Sequence, residues 1–195
     1  MGEKNKTKLH LGCGPRYIDG YINIDIQPYD TVDIVCDVMK LPYEENSIDL
    51  IYSCGMLEHF GVNRNLAFFR HTSWMDVLNY WCKLLKPDGQ LYISVPDFEA
   101  SCYEYLENRD IESLFGCLQS NQWNPEDLHG MIFDYKLLSR GLTEAGFKDI
   151  KKYNWKEFEP FVQDSSYDDF SAAYLPHMDF ENGRQMMLNV CAVKC

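Results

Sequence analysis

The sequence predicts an α/β protein built on one largely parallel sheet covered on both faces. Three observations carry that prediction. Short apolar segments at residues 8–11, 21–26, 32–35, 48–52, 90–95, 147–153 and 186–193 read as strands, several running straight into Gly, Pro or Asp. Two segments with helical spacing, 73–86 and 135–145, fall between strands. The length of 195 residues, 46% of them hydrophobic, suits one full-sized domain and no comfortable second.

Taken in order, residues 8–11 are broken at once by Gly12-Cys13-Gly14-Pro15. Residues 21–26 alternate apolar and polar and then meet Pro28. Glu44-Glu45-Asn46-Ser47 forms the turn before the fourth strand. In the first helix, Ser73 and Asp76 stand at capping-box spacing, and Trp74, Val77, Leu78, Trp81, Leu84 and Leu85 share a face. Pro87-Asp88-Gly89 then turns the chain into the fifth strand. The second helix starts from Asp134 as N-cap and stops at Gly146. Residues 156–185 form a long connection without clear periodicity, a length that points to a lid or binding loop.

Composition narrows the partners. Acidic residues outnumber basic ones 30 to 18, for a formal charge of −12, which repels phosphate backbones and anionic lipid surfaces. A nucleic-acid or membrane partner is therefore not expected. The eight cysteines include no C-x-x-C pair and no zinc-finger spacing. The amino terminus lacks an apolar core of signal-peptide length, and no stretch approaches the roughly 20 apolar residues of a membrane span. The expectation is a reduced, cytoplasmic protein.

Ligands of an open parallel sheet bind beyond the carboxyl ends of its strands, so the residues after each strand matter most. The first strand leads into Leu11-Gly12-Cys13-Gly14, whose glycines allow close backbone approach and free N–H groups toward a ligand. Tyr17 occupies the third glycine position of G-x-G-x-x-G, against a dinucleotide site. Asp25 ends the second strand and can accept two hydrogen bonds from a ribose diol. Asp37 follows the third, within reach of an adenine amino group if a nucleoside crosses the sheet. Ser53-Cys54-Gly55 leads from the fourth into Glu58 and His59, and Asp97 follows the fifth.

This ordered set resembles the class I S-adenosylmethionine-dependent methyltransferases. The matching pieces are KLHLGCG, the acid of YINIDI, CDVMKLPYEENSIDLIYSCGMLEHF and NYWCKLLKPDGQLYISVPD, spanning residues 8–97. The resemblance implies a Rossmann-like, doubly wound sheet of about seven strands with the last antiparallel, and S-adenosylmethionine as cofactor with S-adenosylhomocysteine as product. It also implies roles for the cofactor-binding positions Leu11 to Gly14, Asp25 and Ile26, Asp37 and Val38, and Ser53 to Gly55. Gly12, Cys13 and Gly14 would pass the methionine part and Asp25 would hold the ribose. Asp37 and Val38 would face adenine, with Ser53, Cys54 and Gly55 on the methionine side. One departure stands out: about six residues, 15–20, join the first two strands where the family usually places a helix. GPRYIDGYINIDI looks like a compact subgroup linked to polysaccharide or small-molecule tailoring. A sheet face left open there would suit a homodimer.

Methyl transfer to a hydroxyl needs an aligned acceptor and a base. His59 is the first candidate base, with His129 and Asp97 as alternatives. Tyr17, Glu58, Gln122, Trp123, Asp134 and His177 are candidate acceptor-binding residues. The Asp/His content of the late connection has no fixed ligand spacing, so no metal is assigned. The expected organisation is a single methyltransferase domain over 1–195, with a cofactor-binding half at 8–97 and an acceptor-binding half at 98–195. The acceptor expected is a small hydroxyl-bearing molecule, such as a sugar or sugar-phosphate precursor of a surface polysaccharide. A nucleotide-dependent oxidoreductase and a nonenzymatic cofactor-binding protein are the alternatives.

Overall fold

Residues 6–62, 72–122, 127–164 and 166–195 are described by a computed structural model. The main sheet has seven strands. Five come first along the chain: β1 (Lys8–Leu11), β2 (Ile22–Asp25), β3 (Ile34–Val35), β4 (Ile48–Cys54) and β5 (Leu85–Pro96). β6 (Phe147–Lys152) and β9 (Met187–Lys194) complete it, in the order β3-β2-β1-β4-β5-β9-β6. The first five pair in parallel, while β9 runs antiparallel between β5 and β6. A separate two-stranded hairpin joins β7 (Tyr174–Leu175) to β8 (Arg184–Gln185).

Two helices form for the reasons their sequences give. α1 (Trp74–Leu84) has the full capping box: the Ser73 hydroxyl accepts from the Asp76 N–H, and the Asp76 carboxylate accepts from the Ser73 N–H. It ends two residues short of the predicted stop because Leu85 already pairs with Ile48 in β5. Pro87-Asp88-Gly89 is therefore not a helix-strand turn but a bulge within β5, with Asp88 at φ 59°. α4 (Tyr135–Glu144) is capped by the Asp134 carboxylate on the Leu137 N–H at 2.6 Å, and Gly146 leaves it at φ 98°. Both helices pack on one sheet face. Trp74, Val77, Leu78 and Trp81 of α1 and Leu138 and Leu142 of α4 cover Leu9, Leu11, Ile51 and Ile93, all nearly or fully buried.

The opposite face is built differently. It carries His10, Tyr52 and Tyr92, the residues that alternate with the apolar ones along β1, β4 and β5. No long helix covers it among the described residues. The late connection does so instead, through a turn at Trp155–Glu157, the short α5 (Glu159–Gln163) and a turn at Phe170–Ala172. Phe158 is buried against the rings of Tyr52 and Tyr92, at 4.5 and 4.8 Å between centroids. Lys8 pairs with Glu159 at 2.8 Å, and the Tyr21 hydroxyl donates to the same carboxylate. The sheet face expected to invite a second subunit is thus packed by the chain itself.

The short β1–β2 connection is possible because each strand has only four residues, a return of about 13 Å that ten residues easily span. Asn23, fully buried on β2, ties the connection down. Its amide nitrogen donates to the carbonyls of Ile18 and Tyr21, both at 3.2 Å, and its amide oxygen accepts from the Ile18 N–H at 2.9 Å. One side chain thus satisfies backbone groups that a crossover helix would have satisfied internally.

Periodicity gives no helix at 98–119, yet α2 (Phe98–Asn108) and α3 (Phe115–Gln119) lie there. α2 buries Ala100, Ser101 and Glu104 while exposing Phe98, Tyr103 and Leu106, so its sequence shows no apolar face to read. Among the described residues, no helix is long and apolar enough to cross a membrane.

Candidate active site

β1, β2 and β4 end around the point where the strand order reverses, the place where ligands bind in such sheets. A cavity of about 420 Å³ opens there, within the range of roughly 300–1,000 Å³ usual for small-molecule sites.

Its floor is the loop after β1. Gly12 adopts φ 68°, and a Cβ on it would come within 2.5 Å of the Met56 side chain. The expectation that the glycines free N–H groups toward a ligand is corrected in part. The N–H groups of Gly12 and Cys13 both donate to the Ile24 carbonyl, at 2.9 and 3.2 Å, closing the loop on β2. The Gly14 N–H donates to Asp25 Oδ2 at 2.8 Å, and the Gln27 N–H donates to Asp25 Oδ1 at 2.8 Å. Each carboxylate oxygen accepts about two hydrogen bonds, so Asp25 is held in place with acceptor capacity left at the cavity wall.

Val38, Cys54 and Gly55 also line this cavity, with Ile26 at its edge. The Val38 carbonyl accepts from the buried Trp81 indole at 3.3 Å. His10 lines it from β1. The ring Nδ1 of His10 donates to the Asn23 amide oxygen at 3.0 Å, and burial lowers its pKa to about 4. Burial pushes the Cys13 and Cys54 thiols up, Cys13 to about 12, so both line the wall as neutral groups.

Asp169 and Phe170 of the late connection close over the top. The Asp169 carboxylate accepts from the hydroxyls of Tyr52 and Tyr167 and from the Ser171 N–H at 2.8 Å. Arg16 donates to the Asp168 carbonyl at 2.9 Å and stacks 4.6 Å over the Phe170 ring. Three aspartates and one arginine therefore face the cavity among its described lining residues, a balance suited to a cationic ligand and unsuited to a pyrophosphate.

A second cavity of about 380 Å³ adjoins the first and shares Gly55, His59, Asp127 and Phe170 with it. Glu58 forms part of its wall. It is 2% exposed, its Oε2 has no hydrogen-bond partner, and burial pushes its carboxyl up to about 8. The N–H groups of Gly130 and Met131 donate to the Glu58 carbonyl at 2.8 and 3.0 Å, drawing the segment before α4 against the turn Leu57–His59. Gly130 is required at that contact, since a Cβ would lie 2.9 Å from the Phe60 carbonyl oxygen. The rings of His59 and His129 meet edge-on at 5.0 Å. Burial, with His59 beside it, lowers the His129 pKa to about 4. His177 joins this cavity from the end of the β7–β8 hairpin's first strand.

The structure therefore brings together Gly12 to Gly14, Asp25, Ile26, Val38, Cys54 and Gly55 around the first cavity. It brings Glu58, His59, His129 and His177 around the second. Leu11, Asp37 and Ser53 are not among the residues lining the first cavity; the Asp37 carboxylate accepts from the Met39 N–H. Asp97 is an N-cap, accepting from the Glu99 N–H at 3.0 Å, and lines neither cavity. Asp134 likewise caps α4. Tyr17 and Gln122 are exposed and line neither cavity, and Trp123 lies outside the described residues. Sequence reasoning missed His10, Arg16, Asp127 and Phe170. Only His10 carried a signal, as a polar residue alternating with Leu9 and Leu11 inside a buried strand.

Fold and site together define a doubly wound α/β protein with a small-molecule-sized cavity at the strand switch point. Residues 9–93 match the family profile described as a methyltransferase domain. Solved structures of similar fold include an S-adenosylmethionine-dependent methyltransferase from Archaeoglobus fulgidus, at 14% identity and TM-score 0.56, covering 97% of this chain and 86% of that one. A possible histamine N-methyltransferase from Thermotoga maritima aligns at 14% identity and TM-score 0.53, covering 97% of this chain and 82% of that one. Phosphoethanolamine N-methyltransferase 2 of Haemonchus contortus, solved with S-adenosyl-L-methionine, aligns at 15% identity and TM-score 0.50, covering 100% of this chain and 50% of that one. A search of curated proteins gives no significant match. Residues 9–93 thus match a methyltransferase domain, and the chain as a whole has the fold of these solved methyltransferases.

Proposed function

We propose that this methyltransferase acts on a hydroxyl oxygen of a small, uncharged, sugar-like acceptor held in the second cavity, with S-adenosylmethionine in the first. The observation that carries the proposal is the wall shared by the two cavities at Gly55, His59, Asp127 and Phe170. A group presented from one cavity meets a group presented from the other at that wall, which is the alignment an in-line displacement needs.

In the first cavity, Asp25 accepts the ribose hydroxyls while Ile26 and Val38 pack against adenine. Gly12, Cys13, Gly14 and Cys54 pass the methionine part, and Arg16 faces its carboxylate. The bound cofactor supplies an electrophilic methyl on a sulfonium. Asp169 and Phe170 exclude water from it. The acceptor's proton is handled at the junction of Glu58, His59 and His129.

The second cavity offers Ser113, Ser120, Asn121, Asp127 and His177 to hydroxyl groups. Its described lining contains no Lys or Arg, which favours a sugar over a sugar phosphate. Such a unit suits the tailoring of a surface polysaccharide. Eight free thiols suit a reducing, cytoplasmic setting.

The test uses methyl-labelled S-adenosylmethionine with neutral sugars, sugar phosphates and amines, read by mass spectrometry. O-methylation of neutral sugars is expected, and His59→Ala is expected to lower turnover about 100-fold with S-adenosylhomocysteine affinity nearly unchanged. Transfer confined to amines, or a His59→Ala enzyme of full activity, contradicts the proposal.

A further inference from the structure

Glu58, His59 and His129 offer one ligating atom each within 4.8 Å of one another, at the wall of the second cavity. Two features set this cluster apart from a chance meeting of polar groups. The first is the tautomer of both rings. His59 Nδ1 lies 3.2 Å from the Leu128 carbonyl oxygen and His129 Nδ1 lies 3.1 Å from that of Cys117. A carbonyl only accepts, so in the neutral ring each Nδ1 carries the proton and Nε2 is the acceptor nitrogen. A ring N–H fixed on a backbone carbonyl is the usual support of a metal-bound histidine. The second feature is Glu58 Oε2, an almost fully buried carboxylate oxygen with no hydrogen-bond partner. A buried polar atom left so is costly and calls for a ligand.

We infer that Glu58, His59 and His129 bind one divalent transition-metal ion through two imidazole nitrogens and a carboxylate oxygen, beside the acceptor cavity. Ligand atoms around an ion at about 2.1 Å stand about 3–3.5 Å apart, a modest contraction from the present spacing. Side-chain torsions supply it, because the backbones are already joined through the Gly130 and Met131 N–H groups on the Glu58 carbonyl. Two imidazoles with one carboxylate suit Zn²⁺, Co²⁺ or Fe²⁺ better than Mg²⁺ or Ca²⁺, which prefer oxygen. Three protein ligands leave coordination positions for water or substrate, and the second cavity supplies the room. A cation held there makes a bound hydroxyl more acidic. That role rests on the methyl-transfer reading above; the binding itself does not.

The test is titration of the metal-free full chain with Co²⁺, followed by absorption spectroscopy, and with Zn²⁺, followed by calorimetry. Cobalt is chosen because thiolate ligation, a risk with eight free cysteines, gives a distinct charge-transfer band. One equivalent per chain is expected, with a nitrogen/oxygen spectrum. Glu58→Gln and, separately, His129→Asn should each weaken binding at least tenfold, while binding of S-adenosylhomocysteine reports that both variants are folded. A wild-type chain that binds S-adenosylhomocysteine but neither ion overturns the metal site and leaves the methyltransferase reading intact. Binding with a thiolate spectrum, or binding that neither variant weakens, also overturns it. Ion binding without any binding of S-adenosylhomocysteine upholds the site and overturns the proposed cofactor placement instead.

Discussion

The two cavities share a wall yet are assembled in opposite ways. The first is made mostly of residues that follow β1, β2, β3 and β4 directly, so local strand-end motifs set its shape. The second collects residues from the turn after β4, from α3 and its flanks, from the segment before α4 and from β7. The first is fixed by the sheet, whose register is enforced by a buried face. The second is fixed by irregular segments meeting over the sheet, which can change without disturbing the strands. The rim proposed to hold the cofactor is therefore the general part of the molecule, and the proposed acceptor side is the particular part.

That contrast can be broken or sharpened by experiment, beginning with the largest expected effect. His10 belongs to the sheet and to the wall of the first cavity, and burial lowers its pKa from 6.5 to about 4. The folded state keeps it neutral where the unfolded chain would protonate it. Its contribution is therefore full above pH 6.5 and is lost as pH falls toward 4, a total of about 3 kcal/mol. Glu58 acts in the opposite sense. Its raised carboxyl, at about 8, makes stability fall as pH rises from about 4.5 toward 8. The informative quantity is thus the difference between the urea-unfolding pH profiles of wild type and His10→Gln, both with chelator present. The stability of wild type relative to His10→Gln should be constant above pH 6.5 and fall as pH drops toward 4; parallel profiles would show that His10 titrates normally.

Next in size is Asp25→Ala. It removes the proposed ribose acceptor and leaves the Gly14 and Gln27 N–H groups without their carboxylate. Affinity for S-adenosylhomocysteine should fall by about 1.5–3 kcal/mol, measured by calorimetry, with the helix content unchanged. Unchanged affinity would move the ribose elsewhere on the rim.

The smallest effect is expected at Asp97, whose carboxylate caps α2. Asp97→Ala should cost about 1 kcal/mol of stability and leave turnover near wild type in the labelled-methyl assay. A large loss of turnover with little loss of stability would return Asp97 to the candidate bases.

Legibility followed the same division. β1 came out with its bounds as predicted because Lys8 to Leu11 is ended by glycines that only a turn tolerates. α1 and α4 were legible from caps that the structure uses as hydrogen bonds. Asp25, Val38 and Gly55 could be found because strand ends converge wherever the sheet is parallel. Phe170 and Asp127 could not, since nothing local records that residue 170 folds back over a loop at residue 16. Asp97 misled for a physical reason: the acid that suits a catalytic role also suits an N-cap. The expected halves, 8–97 and 98–195, describe the strand order better than the chemistry. Asp169 of the second half closes the first cavity, and His59 of the first half lines the second.

The central claim is that the first cavity holds S-adenosylmethionine, and thermal unfolding with S-adenosylhomocysteine, against NADH as control, tests it most directly. Ligand at about one hundred times its dissociation constant adds roughly 2.7 kcal/mol, a rise of about 5–10 °C in the midpoint for a domain of this size. The account predicts that rise with S-adenosylhomocysteine alone, and its loss at the same concentration in Asp25→Ala. A rise with NADH alone, or with neither ligand, would contradict it.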